Sequence, residues 1–217
     1  MQMKFKLSSI LWIFCFTVSI AWILLLPIYA DYATQPPLIE PFSLRTHEKI
    51  EKLVYTPVAG TYAMDILFAR DKDIETMGRI VGDMGVCAVG ANKPCSQGDT
   101  AIIRWQIKSM DNSIDISEDA VSRDANSYSR NEISRSISKV YLPSGYYQLS
   151  VEVVSSTDDL SSLTSKITLH LRPKDSGSPA IGYIWWGSIF RILLAIPLAI
   201  LSFIMLSLQL YSTNRRS

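Results

Sequence analysis

Two closely spaced cysteines offer the clearest covalent chemistry in this sequence. Cys87 and Cys95 lie in a segment rich in Gly, Pro and Asn, whereas the third cysteine, Cys15, lies in a long apolar run. Outside the reducing cytoplasm, two cysteines this close in one loop favour a disulfide. A metal site would need further ligands, and the two histidines, His47 and His170, are isolated along the sequence. The spacing therefore predicts a disulfide between Cys87 and Cys95 that fixes the shape of an exposed loop.

Carboxylates occur as neighbouring pairs, the residue type from which general acid and base catalysis is built. The pairs are Asp71 with Asp73, Glu118 with Asp119, and Asp158 with Asp159. All lie in polar stretches, where adjacent acids usually cap helices or form turns. The sequence has no Gly-x-Ser-x-Gly or His-Glu-x-x-His motif, and Gly78, Gly82 and Gly85 are not followed by the Lys-Ser/Thr of a phosphate-binding loop. We therefore expect no enzymatic activity, no metal and no cofactor.

The charge distribution argues against one class of partner. The chain of 217 residues has a formal net charge of +1, but all 20 acidic residues fall within 31–175, together with only 16 of the 21 Lys and Arg. The middle of the chain is therefore acidic, whereas nucleic-acid binding requires a basic patch that releases counterions. We expect no nucleic acid partner. The other basic residues flank or lie within apolar runs, and they are Lys4, Lys6, Arg191, Arg215 and Arg216.

The second of two long apolar runs predicts a transmembrane helix over 185–211. Residues 192–210 are nineteen consecutive uncharged positions. A helix needs about 20 residues to cross roughly 30 Å of hydrocarbon. Trp185, Trp186 and Tyr211 stand at the two ends of this run, as aromatic side chains do at membrane interfaces. The run therefore predicts the lipid bilayer as a partner.

The other apolar run, 7–30, is predicted to be a transmembrane helix as well. A cleaved signal peptide is the alternative, because a basic start and an apolar core precede Ala30 and Asp31. The apolar core is longer than the roughly 7 to 15 residues of a signal peptide, however, and Ile28 stands where a small residue is preferred. An uncleaved anchor is therefore the favoured interpretation.

Basic residues near the chain ends predict the orientation. Under the positive-inside rule, 1–6 and 212–217 are cytoplasmic, and the middle lies in the periplasm outside a bacterial inner membrane. Arg191 lies five residues inside Trp186. Snorkelling to the interface is the favoured interpretation, with a charged partner or a lipid headgroup as the alternative. Small residues with the spacing of helix-pairing motifs are Thr17 with Ala21 and Ala195 with Ala199.

Strand patterns dominate the middle of the chain. Residues 61–70 and 101–109 alternate apolar and polar side chains, the period of a half-buried strand. The apolar residues on one face of the first stretch are Tyr62, Met64, Ile66 and Phe68. Those on one face of the second stretch are Ile103, Trp105 and Ile107. Further candidate strands are 42–45, 52–56, 134–142, 146–155 and 166–172. About seven strands with one short helix at 73–81 favour a mainly β fold, an antiparallel β-sandwich over 42–173. Linkers at 31–41 and 174–184 would join it to the two flanking transmembrane helices.

The longest polar stretch, 111–131, is predicted to be a loop. It is rich in Ser, Asp and Asn, and it is about as long as functional loops become. Exposed loops with mixed charge and Tyr or Arg side chains are common components of protein interfaces. The candidate partner-binding residues are Asp111, Asp115, Glu118, Asp119, Arg123, Tyr128 and Arg130.

Short motifs of the middle segment resemble those of one bacterial family. They are Pro41-Phe-Ser-Leu44, Gly60-Thr-Tyr62 with Ile66 and Phe68, Met77-Gly-Arg-Ile-Val-Gly82, and Leu142-Pro-Ser-Gly-Tyr-Tyr147 with Leu149 and Val151. Over about residues 40–172 the chain is similar to a family of envelope-associated β-sandwich domains of undefined function, some of which neighbour antibacterial secretion effectors. The resemblance implies a small tethered sandwich with an immunity-like role. It transfers no catalytic residue, and this chain has two spans and no lipobox cysteine, unlike the lipoprotein members.

Three functional hypotheses remain. The first is an inner-membrane-anchored periplasmic domain that binds a protein, most concretely an immunity protein that neutralises a secreted antibacterial toxin. The alternative is an accessory or scaffold subunit of a bacterial envelope membrane complex. The third and weakest is that the chain is itself a membrane-active toxin. A soluble fragment, 32–175, would keep partner binding under the first hypothesis and lose it under the second.

Overall fold

The structure is a computed structural model that describes residues 7–82, 98–122 and 125–214. In chain order, the elements are α1 (Leu7–Thr34), β1 (Leu38–Pro41), β2 (Lys49–Thr56), β3 (Gly60–Ala69), α2 (Ile74–Val81), β4 (Ala101–Ser109), β5 (Asp115–Ser122), β6 (Ala125–Tyr128), β7 (Glu132–Leu142), β8 (Gly145–Ser155), α3 (Asp158–Ser161), β9 (Ser165–Leu171), α4 (Pro179–Phe190), a π-helical stretch (Arg191–Ala195) and α5 (Ile196–Asn214). The predicted disulfide residues Cys87 and Cys95 and the predicted contact residue Arg123 lie outside the described residues.

The chain forms two compact units, one of helices and one of strands. The helical unit comprises Met1–Ala33 and Pro179–Ser217, and the strand unit comprises Thr34–Ser178. Both arms of the helical unit are long and apolar enough to cross a membrane. The boundaries differ from the predicted ones, because α1 continues past residue 30 and α4 begins inside the predicted linker 174–184.

The π-helical stretch of the second arm ends at Ala195, two residues before Pro197. Proline has no N–H, and its ring clashes with the carbonyl group four residues earlier in a regular α-helix. Here the Ile196 N–H bonds to the Arg191 carbonyl, five residues back, so the helix is wider by one residue at this turn. The wider turn lets the apolar arm pass the proline without a break.

The two arms pack closely where one of them carries a glycine. The Trp22 Nε1 group donates a hydrogen bond to the Gly187 carbonyl at 3.2 Å. A Cβ at Gly187 would lie 2.8 Å from the Leu26 Cδ1 atom, so a larger residue would require the Leu26 side chain to move. At the other end of the pair, the Ser9 hydroxyl donates to Gln209 Oε1 at 2.7 Å.

Small residues of the second arm are buried within the helical unit. They are Ala195, Ala199 and Ser202, and the small-residue spacing suggested a packing face for the first two. Thr17 and Ala21 have the same spacing on α1, but they are exposed. Spacing alone therefore identified a packing face in one arm and not in the other.

The strand unit is an antiparallel β-sandwich. Sheet A has five strands in the order β1-β9-β3-β7-β6, and sheet B has four in the order β2-β8-β4-β5. The mainly β sandwich is therefore confirmed. The predicted composition was wrong, because the described residues contain nine strands rather than about seven and two short helices, α2 and α3, rather than one.

The interior of the sandwich consists of the alternating positions that the sequence indicated. The apolar residues of β3 and β4 face one another across the two sheets and are almost fully buried: Tyr62, Met64, Ile66, Phe68, Ile103, Trp105 and Ile107. Burial of one such side chain contributes about 1.5–3 kcal/mol. The predicted helix is also present, and Asp73 caps it by accepting a hydrogen bond from the Thr76 N–H at 2.9 Å.

The extra strands lie in stretches predicted to be a linker and a loop. β1 falls in the linker 31–41, whereas the predicted strand 42–45 is absent, and β5 and β6 fall in the loop 111–131. All three are edge strands, which need one hydrogen-bonded neighbour and only one partly buried face. In β5 the buried positions are Ala120 and Ser122, too small and polar to produce a hydrophobic alternation.

Candidate functional site

The candidate partner-binding residues that the structure describes lie on one side of the sandwich. β5 ends sheet B and β6 ends sheet A, and the two strands together define the β5/β6 side. The Ser138 hydroxyl of β7 donates to Glu118 Oε2 of β5 at 3.3 Å, which joins the two sheets. The opposite β1/β2 side is formed by edge strands β1 and β2, where Lys52 Nζ lies 2.9 Å from Glu40 Oε1.

Asp111 builds the turn between β4 and β5. Its Oδ1 atom accepts hydrogen bonds from the Ser109 hydroxyl at 2.6 Å, the Ser113 hydroxyl at 2.7 Å and the Ser113 N–H at 3.0 Å. The bond from Ser109 is the largest cause that lowers the pKa of Asp111 to about 2, followed by those from Ser113. The local role of Asp111 is therefore to form the turn, as Asp does in many turns.

The two aspartates on the solvent-facing side of β5 are bonded to β4. The Arg104 guanidinium donates to Asp119 through Nε at 2.8 Å and through Nη2 at 3.0 Å, a bidentate pair. Hydrogen bonding from Arg104 lowers the pKa of the Asp119 carboxyl. The Gln106 amide donates to Asp115 Oδ1 at 2.7 Å. Both carboxylates are therefore oriented by β4 while the Asp119 side chain remains 49% exposed and Asp115 is also exposed.

Exposed apolar side chains accompany the carboxylates of β5. Ile116 is 37% exposed and Val121 is 59% exposed. The strand thus combines acidic groups with apolar surface, the two components of a protein interface with an apolar centre and a polar rim.

Tyr128 and Arg130 lie at the sheet A end of the same side. Tyr128 ends β6, where it is paired with Ile133 of β7. The Arg70 Nη1 group donates to the Ser129 carbonyl at 3.1 Å and to the Arg130 carbonyl at 3.5 Å, and the Arg130 side chain is exposed. The predicted contact residues are therefore divided between the edges of two sheets rather than gathered in one loop.

Behind the β5/β6 side lies Arg135, a fully buried arginine that was not predicted from the sequence. It donates from Nε to the Val81 carbonyl at 2.8 Å, from Nη2 to the Ile80 carbonyl at 2.8 Å, and from Nη1 to the Asp99 carbonyl at 2.6 Å. A positive charge at the carboxyl end of α2 satisfies the last carbonyl groups of the helix and complements its dipole. Nη1 also approaches the Ser122 carbonyl of β5 at 3.4 Å, so one side chain joins α2, β7 and β5.

Two glycines lie against this arginine. A Cβ at Gly98 would lie 2.3 Å from Arg135 Nη2 and 2.5 Å from the Gly82 backbone nitrogen, so a larger residue would displace the guanidinium or the backbone. Gly82 has a φ of 85° and ends α2, as the sequence indicated. The sequence signal for Arg135 was its position two residues after Ile133, which places both side chains on the inward face of β7.

A polar depression of about 340 Å³ opens on the outer face of sheet A. Its lining includes Asp65, Ser127, Ser129, Ser134, His170 and Arg172. Asp65 is nearly buried, and His170, which is isolated along the sequence, has its Nε2 atom 3.8 Å from the Asp65 Oδ2 atom. A nucleophile, base and acid acting together need hydrogen bonds of about 2.6–3.2 Å. The Asp65 to His170 separation is longer, and within the described ranges no hydrogen bond joins His170 to a serine.

The predicted membrane-interface residues lie on the helical unit. Trp185 and Trp186 are exposed and contact each other edge to face, with ring centroids 4.9 Å apart, and Tyr211 is exposed near the end of α5. Arg191 is half-exposed at the first residue of the π-helical stretch. Across the part of the chain that the structure describes, no group of three or more His, Cys, Asp or Glu residues is arranged to hold a metal.

Comparisons with known proteins give no functional assignment for this chain. No protein-family model and no curated protein sequence matches the chain. A crystal structure of a protein from Sulfurospirillum deleyianum is similar with a TM-score of 0.48 and 15% sequence identity, covering 64% of this chain and 98% of that one. The functional proposal therefore rests on the residues of this chain.

Proposed function

We propose that this chain is a membrane-anchored protein-binding domain, and specifically an immunity protein that neutralises a secreted antibacterial toxin. The observation that carries the proposal is the arrangement of Asp115, Glu118 and Asp119 on one regular strand. Each carboxylate is oriented by a neighbour on β4 or β7, as described above. Groups that are already ordered lose little conformational entropy on binding.

The chemistry of β5 suits a basic protein surface. The strand carries three carboxylates and no Lys or Arg. Opposite charges on a partner would speed association, and the exposed Ile116 and Val121 supply apolar area that leaves water when the partner binds. A protein that acts by contact in this way requires no catalytic group, which agrees with the expectation that the chain is not an enzyme.

The proposed location is the bacterial inner membrane, with both termini cytoplasmic and the sandwich periplasmic. The support is the basic residues at the chain ends and two helices able to cross a bilayer. Anchoring raises the concentration of an inhibitor at the surface that an incoming toxin must reach.

Cysteine labelling of spheroplasts tests this orientation. An impermeant thiol reagent should label a cysteine introduced at Ser156 and leave one at Ser212 unlabelled, with the parent chain as the background control. Labelling at Ser212 and not at Ser156 would reverse the proposed orientation.

A killing assay tests the function. Deleting the gene should make cells sensitive to sister cells that deliver the toxin, and the intact gene should restore resistance. The double substitution Asp115→Asn/Asp119→Asn should fail to restore it. The matched control is Asp158→Asn/Asp159→Asn, which also removes two exposed carboxylates but lies in α3. Full resistance of the deletion strain would contradict the immunity proposal.

The second candidate function is an accessory or scaffold subunit of an envelope membrane complex. The half-exposed Arg191 within an apolar arm favours it, since intramembrane charges usually face a partner or a polar cavity. A pull-down of the tagged full-length protein separates the two. The immunity function predicts a soluble toxin, whereas recovery of integral membrane subunits alone would support the scaffold function.

A further inference from the structure

We propose that the protein partner binds by adding an antiparallel strand to the outer edge of β5. This inference rests on the proposed function, in that the partner is a protein, and it specifies both the mode of binding and the segment that binds. The segment is extended, with basic residues on one face and apolar residues on the other. Strand addition is an established mode of peptide recognition in which backbone hydrogen bonds supply affinity and alternate side chains supply specificity.

The hydrogen bonds of β4 show which way its backbone groups point. The Ser109 N–H donates to the Ile114 carbonyl at 2.8 Å, towards the β5 side, and the Met110 N–H donates to the Tyr146 carbonyl of β8 at 3.2 Å. Backbone groups of successive residues in an antiparallel sheet point to opposite neighbours. Odd-numbered residues of β4 therefore bond to β5, and even-numbered residues bond to β8.

The register then assigns the backbone groups of β5. Ile116 and Glu118 are opposite odd-numbered residues of β4, so their N–H and C=O groups bond to β4. Ser117, Asp119 and Val121 are opposite even-numbered residues, so their N–H and C=O groups point to the outer edge. In sheet B, as far as the structure describes it, β5 is the terminal strand. Asp115, opposite Lys108, points outward as well, so four alternate residues of β5 form a site for one more strand.

The other edges of the sandwich are less suited to pairing. β1 and β6 have four residues each, and β1 ends with a proline. β2 has eight residues, but it carries Lys49 and Lys52, and lysine on an edge is a common protection against pairing. β5 has eight residues and contains neither Lys nor Pro. It is therefore the edge that best accepts a strand.

Charge determines which strand is accepted. Asp115, Ser117 and Asp119 project from the same face of β5. The Cβ atom of a residue directly opposite one of them on an added strand would lie about 4.5–5.5 Å from its Cβ atom. Lys or Arg at those positions would pair with the carboxylates. The other face of β5 carries the partly exposed Ile116, the buried Ala120 and Glu118, whose carboxylate accepts a hydrogen bond from Ser138 of β7. Ile116 favours apolar residues at the alternate positions of the partner.

The same charges exclude a second copy of this chain. Pairing β5 with β5 would bring six carboxylates onto two adjacent strands with no basic residue in either. Like charges on directly opposite residues destabilise a sheet. The acidic residues therefore protect the edge against self-association and also select a basic partner.

Three synthetic peptides test the inference on the full-length protein in lipid nanodiscs. Each peptide has nine residues in which lysine and valine alternate. The first is unmodified, the second carries a methyl group on the backbone nitrogen of every lysine, and the third carries one on the backbone nitrogen of every valine. In antiparallel pairing, residues opposite Ser117 and Asp119 are lysines, and their N–H groups point to β5. The unmodified and valine-methylated peptides should therefore bind, and the lysine-methylated peptide, with the same charge and side chains, should not.

Amide hydrogen exchange is the readout of strand addition. Bound peptide should slow exchange at Ser117, Asp119 and Val121 by at least about tenfold, since a bonded amide exchanges only when the strand opens. Equal binding of all three peptides without slower exchange would show attraction by charge alone and would overturn the inference. Absence of binding, or protection confined to another strand, would overturn it as well.

A backbone variant gives an independent test. Ser117→Pro removes one outward N–H, and proline is tolerated at an edge position whose N–H faces solvent. Ser117→Ala removes the hydroxyl and keeps that N–H. We expect Ser117→Pro to weaken binding of the unmodified peptide at least about tenfold, because one backbone hydrogen bond at the edge is lost. Ser117→Ala should leave the affinity for this peptide unchanged. If Ser117→Pro shifts the unfolding transition, the methylated peptides decide the question alone.

The killing assay separates failure of this inference from failure of the proposed function. Strand addition predicts that Ser117→Pro cells are sensitive and Ser117→Ala cells are resistant. If both variants protect but Asp115→Asn/Asp119→Asn does not, the immunity function holds and strand addition fails. If deletion of the gene leaves cells resistant, the immunity function fails, and selective peptide binding would still support β5 as a strand-accepting edge.

Discussion

The two sides of the sandwich are held together by different kinds of interaction. On the β1/β2 side, Lys52 and Glu40 form a surface ion pair whose side chains are 46% and 36% exposed. On the β5/β6 side, the fully buried Arg135 donates to carbonyl groups of α2 and β5. Exposed ion pairs contribute little, whereas removal of a buried charged partner is costly. On the side that carries the candidate site, the buried Arg135 is therefore expected to contribute more than the exposed Ser138 to Glu118 hydrogen bond.

This difference has a functional meaning. A strand that is to receive a partner must keep its outer edge open, so it cannot gain stability from another strand on that edge. Arg135 contacts β5 from behind, through the Ser122 carbonyl, and among the described residues no strand pairs with the outer edge of β5. The β1/β2 side has no proposed partner, and surface charges suffice there. Four predictions test this comparison, in order of expected effect.

The largest effect is expected from Arg135→Met. The substitution keeps an apolar chain of similar length but leaves the carbonyl groups of Ile80, Val81 and Asp99 without these donors, so we expect a loss of about 3–5 kcal/mol in the free energy of unfolding. Denaturant unfolding followed by circular dichroism measures it. Arg104→Met, which removes an exposed arginine of the same side, is the control with a much smaller loss. A loss below about 1 kcal/mol for Arg135→Met would contradict the comparison.

The next effect is expected from Gly98→Ala. The added Cβ would overlap the Arg135 guanidinium and the Gly82 backbone, and we expect a loss of about 1–3 kcal/mol, as for other overpacked sites. Gly182→Ala is the matched control, because nothing lies within 4 Å of a Cβ at that position. If Gly98→Ala has the same free energy of unfolding as the parent, the Arg135 side chain can shift without loss of stability. The surrounding groups would then not fix the position of Arg135.

A smaller effect is expected at low pH from the turn that begins β5. The pKa of Asp111 is about 2 in the folded protein, whereas an aspartate without these contacts has a pKa of 3.8. The pKa is lowered because the ionised carboxylate accepts three hydrogen bonds. A depressed pKa adds stability above pH 3.8, and that stability is lost as the pH falls towards 2. Asp111→Asn should reduce the slope of stability against pH in this window, and Asp158→Asn should retain it. If the stability of Asp111→Asn and that of the parent have the same slope against pH, Asp111 does not contribute to the pH dependence of stability.

The smallest effect is expected on the β1/β2 side. A double-mutant cycle with Lys52→Ala and Glu40→Ala should give a coupling free energy below about 1 kcal/mol, because both side chains are partly solvated. The measurement is the unfolding free energy of the parent, the two single variants and the double variant. A coupling free energy of about 3 kcal/mol or more would mean that the Lys52–Glu40 pair stabilises its side as strongly as a buried charged group does. The proposed difference between the two sides would then be wrong.

The candidate site was predictable in part. The sequence identified Asp115, Glu118 and Asp119 as exposed acidic residues in a polar stretch, but it indicated a loop where the structure has β5 and β6. An edge strand with small buried residues has no hydrophobic period, so its conformation depends on the neighbouring strand that supplies hydrogen bonds. The disulfide between Cys87 and Cys95 stays a prediction of the sequence.

The sequence by itself determined the two apolar helices, the central strands β3 and β4, and the capped helix α2. Each of these has a local signal, namely a long uncharged run, a strict alternation or a capping aspartate, and the element follows from residues close in the chain. Only the tertiary structure decided that Arg135 is buried, that His170 lies beside Asp65 and that β5 is the terminal strand of sheet B in the part of the chain that the structure describes. Those facts depend on contacts between residues far apart in the chain, because burial and hydrogen-bond partners come from whichever strands pack together.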